Sequence, residues 1–230
     1  MDIYKQLCKK DTLKSTLVYE QLKEELIHGK WAFNENIHVN SLIEKFDVSR
    51  RPVMEALKML SKEGFIDIIP QYGCRVISYS KPTAIEVIRL RAAIEILCVE
   101  LAIENGTELE MRQFQLFQEV SSEQPQILED KIQYLYYNRE FHAHIVAMAK
   151  STLITDYIIQ IWGLNDFYLV QLFDYFKWNV VQSLEDHQQL IDAMKARNSP
   201  LAKQIISQHF EQFMQQHLER LPNTNPNPPL

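Results

Sequence analysis

The chain has 230 residues, of which 46% are hydrophobic and 23% are charged. This length and composition are typical of a soluble globular protein with one large domain or two small ones. The formal net charge of -6 at pH 7 excludes a uniformly basic nucleic-acid-binding protein.

The charge is distributed unevenly along the chain. Residues 1–80 carry 12 Lys and Arg against 11 Asp and Glu, a net charge of +1. Residues 81–230 carry 12 against 19, a net charge of -7. If the N-terminal third binds nucleic acid, it must therefore do so through a local basic edge.

Three features predict a cytoplasmic protein without a membrane span. The N-terminal residues lack the apolar segment of a secretory signal. The most apolar stretch, residues 157–173, is interrupted by polar side chains and is a poor membrane span. The cysteines are odd in number, far apart and without a CxxC pair, as expected for reduced thiols.

Helical periodicity dominates the first sixty residues. An amphipathic helix is predicted to end before Gly29, and two short helices joined by a tight turn are predicted over residues 37–60. Ser49 is the predicted N-cap of the second short helix, and Pro52 lies in its first turn. The apolar side chains of that helix recur at i, i+3, i+4 and i+7, which predicts one buried face: Val53, Ala56, Leu57 and Leu60.

The opposite face of this helix is polar and basic. Arg50, Arg51, Met54 and Lys58 are predicted to face outward. A capped helix with two arginines at its N-terminal end suits the major groove of DNA. The alternative is an ordinary helical hairpin whose arginines are only solvated.

A change of period after Gly64 favours the DNA-binding alternative. Residues 65–69 and 74–77 are β-prone runs separated by a short loop, which predicts a two-stranded hairpin. Three helices followed by such a hairpin form a winged helix-turn-helix. The tip of the wing, with Gln71, Tyr72, Gly73 and the nearby Arg75, is predicted to contact phosphate or the minor groove.

Residues 12–78 resemble the DNA-binding domain of the GntR superfamily of bacterial transcription regulators. VSRRPVMEAL at residues 48–57 is similar to the family's usual VSRTPVREAL, and EGFIDIIPQYGCRV at residues 63–76 also matches. Arg51 replaces the usual threonine and Met54 the usual second arginine. The resemblance implies a homodimer on a pseudo-palindromic double-stranded DNA operator. The implied DNA-binding residues are Ser49, Arg50, Arg51, Met54, Lys58, Gln71, Tyr72, Gly73 and Arg75.

From Pro82 onward every pattern is helical. Helices are predicted near residues 83–105, 108–122, 127–149, 152–176 with a possible break at Gly163, 183–197 and 199–219. Thr83 with Glu86 and Thr107 with Glu110 have the spacing of capping boxes, and Ser183 with Asp186 has a similar one.

The chain as a whole is predicted to be mainly α. It comprises a winged helix-turn-helix domain at residues 12–78, an all-helical effector-binding and dimerisation domain at 83–220 and a disordered tail at 221–230. This organisation resembles the FadR-type branch of the superfamily, whose effector domain is a helical bundle called FCD.

Four polar side chains fall on the apolar stripes of three predicted helices. These are Asn138 and His142 in one helix, His187 in another and His209 in the last. A buried imidazole without a partner is costly, so each requires a hydrogen bond or a metal ion. A single inward histidine is more often a satisfied core residue, but three on separate helices favour a shared site.

The resemblance to FCD domains implies the chemistry of that site. Many members carry a D/N-x-x-F-H motif followed by two later histidines, which here are Asn138, His142, His187 and His209. In such relatives these side chains bind a divalent ion, commonly zinc, and a carboxylate effector completes the coordination. Nickel and other divalent ions are also suited to imidazole. Asn138 replaces the commoner aspartate, and its neutral amide is the weaker ligand.

Arg91 is a candidate contact for the effector carboxylate, because it begins a segment that resembles the start of FCD domains. The alternative is a salt bridge to Glu95 at i+4. Two alternatives for the whole protein also stay open: a regulator whose histidines bind an organic acid or acyl ligand without metal, and a metal-dependent enzyme. The enzyme would require a general base at the metal, and helix phase turns Glu140 and Glu185 away. His144 is expected at the surface.

Overall fold

The computed structural model describes residues 3–7, 13–69, 71, 73–124, 127, 129–172, 179–218 and 220–223. The helices are α1 (Ile3–Leu7), α2 (Lys14–Ile27), α3 (Val39–Phe46), α4 (Arg50–Lys62), α5 (Lys81–Asn105), α6 (Glu108–Ser122), α7 (Lys131–Ala149), α8 (Thr152–Gln171), α9 (Val180–Lys195) and α10 (Ser199–Leu218). The strands are β1 (Asn36–Ile37), β2 (Ile66–Ile69) and β3 (Gly73–Val76). The predicted fold class is confirmed.

The chain divides into two compact units. The first comprises residues 9–87, 160–176 and 220–230, and the second comprises residues 1–8, 88–159 and 177–219. The first unit is therefore discontinuous in sequence, because it includes the later half of α8. Across the described ranges, none of the helices is both long and apolar enough to span a membrane.

The helix-turn-helix of the first unit agrees with the prediction from periodicity. Asp47 ends α3 in the left-handed conformation, with φ +49°, and starts the tight turn that leads to α4. The apolar face of α4, formed by Val53, Ala56, Leu57 and Leu60, is 0% exposed. Ser49 occupies the N-cap position, but its hydroxyl accepts no hydrogen bond from the first turn of α4. Burial of one face therefore contributes more to the placement of α4 than its cap does.

The wing is a three-stranded antiparallel sheet with strand order β1-β3-β2. Asp67 pairs with Arg75 in the hairpin, and Arg75 also pairs with Asn36 of β1. The predicted hairpin is confirmed. Strand β1 was not predicted, because a run of two residues is too short to display an alternating pattern.

Helix α8 runs without interruption through Gly163, so the possible break predicted there is wrong. A Cβ atom at Gly163 would lie 2.8 Å from Lys23 Cε and 3.3 Å from Phe65 Cζ. One turn later, the ring of Phe167 packs against those of Phe33 and Phe65, with centroids 5.1 and 5.9 Å away. The glycine therefore permits close packing of α8 against the core of the first unit.

The first residues of the predicted disordered tail have defined contacts. Leu221 is 3% exposed, and the carbonyl of Pro222 accepts a hydrogen bond from the Tyr79 hydroxyl at 2.8 Å. Lys81 Nζ donates to the Leu221 carbonyl at 3.1 Å. Residues 224–230 lie outside the described part of the chain.

Several helices of the second unit begin at other residues than predicted. Helix α7 begins at residue 131, where Asp130 Oδ1 accepts from the Ile132 N–H at 2.8 Å. Helix α9 begins at residue 180 and is capped by Asn179, so the predicted start at Ser183 is wrong. The Ser183 hydroxyl lies inside the helix and hydrogen-bonds Tyr134 Oη at 2.6 Å. The spacing of Ser183 and Asp186 resembles a cap, but tertiary packing uses the hydroxyl elsewhere.

The capping box at the start of α6 is present and supports a stability prediction. Thr107 Oγ1 accepts from the Glu110 N–H at 3.2 Å, and the Thr107 N–H donates to Glu110 Oε2 at 2.7 Å. Burial alone would raise the pKa of Glu110, but the hydrogen bonds from Thr107 and the nearby Lys150 ammonium outweigh it and hold that pKa below its ordinary value.

We expect Thr107→Ala to lower the free energy of unfolding by about 1 kcal/mol at pH 7. A carboxyl whose pKa is lower in the folded state than in the unfolded state stabilises the folded state at neutral pH. For Glu110 this stabilisation is lost as the pH falls below 4.5, the ordinary pKa of the group. Urea denaturation at pH 7 and pH 3 should therefore give a smaller difference from the wild type at the lower pH. Ser122→Ala, an exposed hydroxyl at the other end of α6, is the control. A deficit as large at pH 3 as at pH 7 would contradict this account.

Candidate metal centre and DNA-binding helix

Three histidines from α7, α9 and α10 converge in the second unit, as the helical periodicity predicted. The ring centroids of His142 and His187 are 5.4 Å apart, and those of His187 and His209 are 5.0 Å apart. The candidate ligand nitrogens of all three lie within 4.8 Å of one another. His142 and His187 are each 1% exposed. One ion could therefore contact all three imidazoles.

Buried polar atoms without partners lie at this cluster. Among the described residues, the Nε2 atoms of His142 and His187 and the Oδ1 atom of Asn138 have no hydrogen-bond partner. Asn138 precedes His142 by one helical turn, so both side chains lie on the same face of α7. Burial without a partner costs about 1–3 kcal/mol for each such atom. A cation at the cluster would satisfy these atoms, so the donor set fits a divalent metal.

A second group of side chains contacts the opposite nitrogen of each ring. His142 Nδ1 contacts Glu95 Oε2, and His209 Nδ1 lies 3.1 Å from Asp186 Oδ2. His187 Nδ1 lies 2.6 Å from the Tyr137 hydroxyl. Such contacts orient the ligating histidines of metal sites. In this cluster they leave the Nε2 atoms of the two buried histidines unpartnered.

The electrostatic environment favours neutral imidazoles. Burial lowers the pKa of His142 to about 4, although Glu95 acts in the opposite direction, and burial also holds the pKa of His187 well below its ordinary value. Burial alone would raise the pKa of Glu95, but the charges of Arg91 and His142 outweigh it and hold the pKa below its usual range. His142 and His187 can thus offer lone pairs at neutral pH.

Arg91 forms the salt bridge that was one of its two predicted roles. Its Nε donates to Glu95 Oε1 at 2.7 Å, and both side chains are buried. The guanidinium also lies 5.4 Å from the centre of the Phe210 ring. Since Glu95 contacts His142, Arg91 is connected to the histidine cluster through one carboxylate.

His144 is buried, so the prediction of a surface position is wrong. Its ring stacks against Phe114 at 5.2 Å and lies 5.0 Å from Phe117, both from α6. Burial lowers its pKa to about 4. The periodicity of α7 alone could not reveal that a neighbouring helix covers this second face.

The two glutamates that flank the candidate ligands do not face the cluster. Glu140 Oε2 accepts from the Tyr4 N–H at 3.0 Å, and the Ile3 N–H contacts its other oxygen. Glu185 is exposed. Neither therefore provides the general base that a metal-dependent enzyme would require.

Four residues that contribute to the cluster were missed from sequence, one of which is Glu95, the contact of His142. Tyr137 of α7 contacts His187 directly, and Gln118 of α6 is connected to His187 through Tyr137. Asp186 was interpreted as part of a helix cap, although it contacts His209. Only pairing between helices reveals these roles, and a single sequence carries no signal for it.

The helix predicted to enter DNA displays its cations to solvent. Ser49, Arg50, Arg51 and Lys58 are exposed, and Met54 is half-buried. Arg51 Nε also lies 2.9 Å from Glu55 Oε1, in an i,i+4 pair. Exposed cations on one face of α4 are available to phosphates or base edges.

The wing displays a smaller set of candidate contacts. Gln71 and Gly73 are exposed and have positive φ angles, of +67° and +114°. Arg75 is half-buried on the central strand of the sheet. Tyr72 lies outside the described residues.

Two protein-family models match this chain. Residues 14–76 match the family described as bacterial regulatory proteins, gntR family, and residues 86–212 match the FCD domain. The chain belongs to the GntR family and carries an FCD domain. It is therefore a DNA-binding transcriptional regulator.

Proteins similar to this GntR-family regulator are themselves regulators. The HTH-type transcriptional repressor GlaR of Escherichia coli is 27% identical over 208 residues, which cover 86% of this chain and 93% of that repressor. The uncharacterized regulator YdhC of Bacillus subtilis is 24% identical over 193 residues, covering 84% of this chain and 85% of YdhC. These relatives are regulators rather than enzymes, which agrees with the preferred interpretation of the sequence.

Solved structures share the fold of this GntR-family regulator. McbR/YncC of E. coli superposes with a TM-score of 0.73 at 22% identity, covering 88% of this chain and 95% of McbR. A putative GntR regulator from Rhodococcus sp. RHA1 also has a TM-score of 0.73, at 19% identity, covering 90% of this chain and 99% of that one.

Proposed function

We propose that this regulator binds a pseudo-palindromic operator as a homodimer in the cytoplasm and responds to a small carboxylate through a divalent metal ion in its FCD domain. The observation that carries the proposal is the convergence of His142, His187 and His209, with buried, unpartnered Nε2 atoms on the first two and an unpartnered Oδ1 atom on Asn138 one helical turn before His142. Zinc fits a set of imidazole and amide donors, and nickel fits it as well.

The charge of the donor set favours an anionic effector. Imidazole and amide ligands are neutral, so this set would not neutralise the positive charge of a divalent ion. A metal ion in such a site acts as a Lewis acid, so it would bind a carboxylate oxygen directly. Arg91 is the proposed second contact for that carboxylate, because guanidinium groups bind carboxylates in bidentate geometry.

A thermal-shift titration tests the sensing part of the proposal. The metal-free protein is incubated with zinc or nickel, and small mono- and dicarboxylates are then added. A ligand that binds the folded state raises the melting temperature according to its concentration and affinity. We expect the metal to raise it and some carboxylates to raise it further only with metal present. Carboxylate stabilisation without metal would support a metal-free pocket instead, and no response to either ion would contradict the metal centre.

The DNA-binding part of the proposal assigns base or phosphate contacts to Arg50 and Arg51. We expect Arg50→Ala to weaken binding to a duplex selected from random sequence by about 1–3 kcal/mol if the arginine contacts a base. Gel-shift titration of the full chain measures this. Lys62→Ala removes the same charge from the exposed last turn of α4 and is the matched control.

A salt series distinguishes the two kinds of contact. Loss of a phosphate contact reduces the dependence of binding on salt by about one charge and weakens all sequences alike. Loss of a base contact relaxes preference at one position of the operator. If Arg50→Ala and Lys62→Ala behaved alike in both respects, the assignment of Arg50 would fail.

A further inference from the structure

A chain of hydrogen bonds runs through the second unit to the outer nitrogen of His187. Gln118 Nε2 donates to the backbone carbonyl of Leu184 at 3.2 Å. The Tyr137 hydroxyl donates to Gln118 Oε1 at 2.6 Å and also lies 2.6 Å from His187 Nδ1. Gln118, Tyr137 and His187 are all buried.

Counting protons along this chain determines the direction of each bond. The Leu184 carbonyl can only accept, so the amide of Gln118 directs its NH₂ there and its oxygen toward Tyr137. The hydroxyl of Tyr137 has a single proton, which that oxygen accepts. The phenol oxygen must then accept from His187, so the proton of the neutral imidazole lies on Nδ1 and the lone pair lies on Nε2.

We propose that Gln118, acting through Tyr137, is a positioning residue that holds His187 in the tautomer with an unprotonated Nε2. The functional consequence rests on the proposed metal centre, because Nε2 can bind a cation only in the tautomer that leaves its lone pair free. The tautomer itself is a property of the metal-free protein.

The dependence on Gln118 is specific to His187. The rings of His142 and His209 face the carboxylates of Glu95 and Asp186. A carboxylate can only accept a hydrogen bond, so it holds the proton on Nδ1 whatever its other partners are. A phenol can either donate or accept. Without the acceptor of Gln118, the hydroxyl of Tyr137 is free to donate to Nδ1, which stabilises the tautomer with its proton on Nε2.

A further contact limits other ways to satisfy the ring nitrogens of His187. Its ring stacks on Phe141, with centroids 3.7 Å apart and planes 7° apart, so the plane of the imidazole is held. A phenol keeps its single proton at neutral pH. The tautomer therefore depends on the direction of one hydroxyl.

The test is a long-range ¹H–¹⁵N correlation spectrum of the metal-free protein labelled with ¹⁵N-histidine, with the His187 signals assigned through His187→Gln. We expect protonated Nδ1 and unprotonated Nε2 in the wild type. In Gln118→Met we expect a shift toward protonated Nε2 and a loss of zinc affinity of about 10–100-fold, the usual effect of removing an outer-shell partner. Gln113→Met, an exposed position on the same helix, should change neither.

A conservative variant separates this role from packing. A buried glutamic acid in its neutral form has the same acceptor and one donor, so Gln118→Glu should retain the wild-type tautomer. If Gln118→Met does not fold, Tyr137→Phe provides the second measurement, since it removes the acceptor for Nδ1 and should release the tautomer.

The outcomes for the tautomer and for the metal are distinguishable. The inference fails if His187 of the wild type has its proton on Nε2. It also fails if both Gln118→Met and Tyr137→Phe keep the wild-type tautomer, and either result counts even if zinc binds. The expected tautomer in a protein that binds neither zinc nor nickel would support the inference and overturn the proposed metal centre.

Discussion

Replacing Arg91 by methionine is expected to lower the free energy of unfolding by about 3–5 kcal/mol, the usual cost of removing one partner of a buried ion pair. Arg91 Nε donates to Glu95 Oε1 at 2.7 Å with both side chains buried, so the variant leaves a buried carboxylate without its strongest cation. Methionine retains an apolar chain beside Phe210, which limits the loss to the charge. Urea denaturation followed by circular dichroism measures the difference.

Two further variants show whether the ion pair is the cause. Arg89→Met makes the same change at an exposed position one half-turn earlier on α5 and should alter stability by no more than about 0.5 kcal/mol. Arg91→Met combined with Glu95→Gln should recover much of the loss, because the unpaired charge is gone. A cost for Arg91→Met equal to that of Arg89→Met would show that Arg91 has no structural role, and would leave effector binding as its proposed role.

We expect His187→Ala to weaken zinc binding by roughly 100-fold. Four-ligand structural zinc sites have apparent binding free energies of about 10–16 kcal/mol, so one ligand accounts for roughly 3 kcal/mol. Competition against a chelator of known affinity, at one pH, measures the change. His28→Ala, an exposed histidine of the first unit, is the control for nonspecific imidazole binding.

Asn138→Asp tests the same site in the opposite direction. A carboxylate is a stronger ligand for a divalent ion than an amide. Zinc affinity should therefore increase, while the response to added carboxylates should decrease because the bound ion has less uncompensated charge. Unchanged zinc affinity in both His187→Ala and Asn138→Asp would rule out this cluster as the metal centre.

Sequence patterns predicted the parts of this protein that depend on one element at a time. Periodicity within single helices was sufficient to place His142, His187 and His209 on inward faces, and the apolar stripe of α4 was correct at every position. Turn chemistry located the hairpin and the cap at Thr107. Each of these is a local property of the chain, set by backbone geometry and side-chain spacing.

The errors arose where two elements meet. His144 is buried because α6 covers a second face of α7, and Ser183 binds Tyr134 rather than capping a helix. The acceptors of the three Nδ1 atoms depend on the rotation of neighbouring helices about their axes. A single sequence does not specify such rotations, since several packings bury the same apolar stripe.

The discontinuity of the first unit has a consequence for how the protein is made. Phe33 and Phe65, both fully buried, pack on Phe167, which follows them by more than a hundred residues. During synthesis from the N-terminus, Phe33 and Phe65 leave the ribosome before α8 does. Phe167 is therefore not yet available to pack against them. The DNA-binding domain therefore completes its core only after most of the FCD domain has been translated, and we expect a fragment ending near residue 80 to aggregate rather than bind DNA.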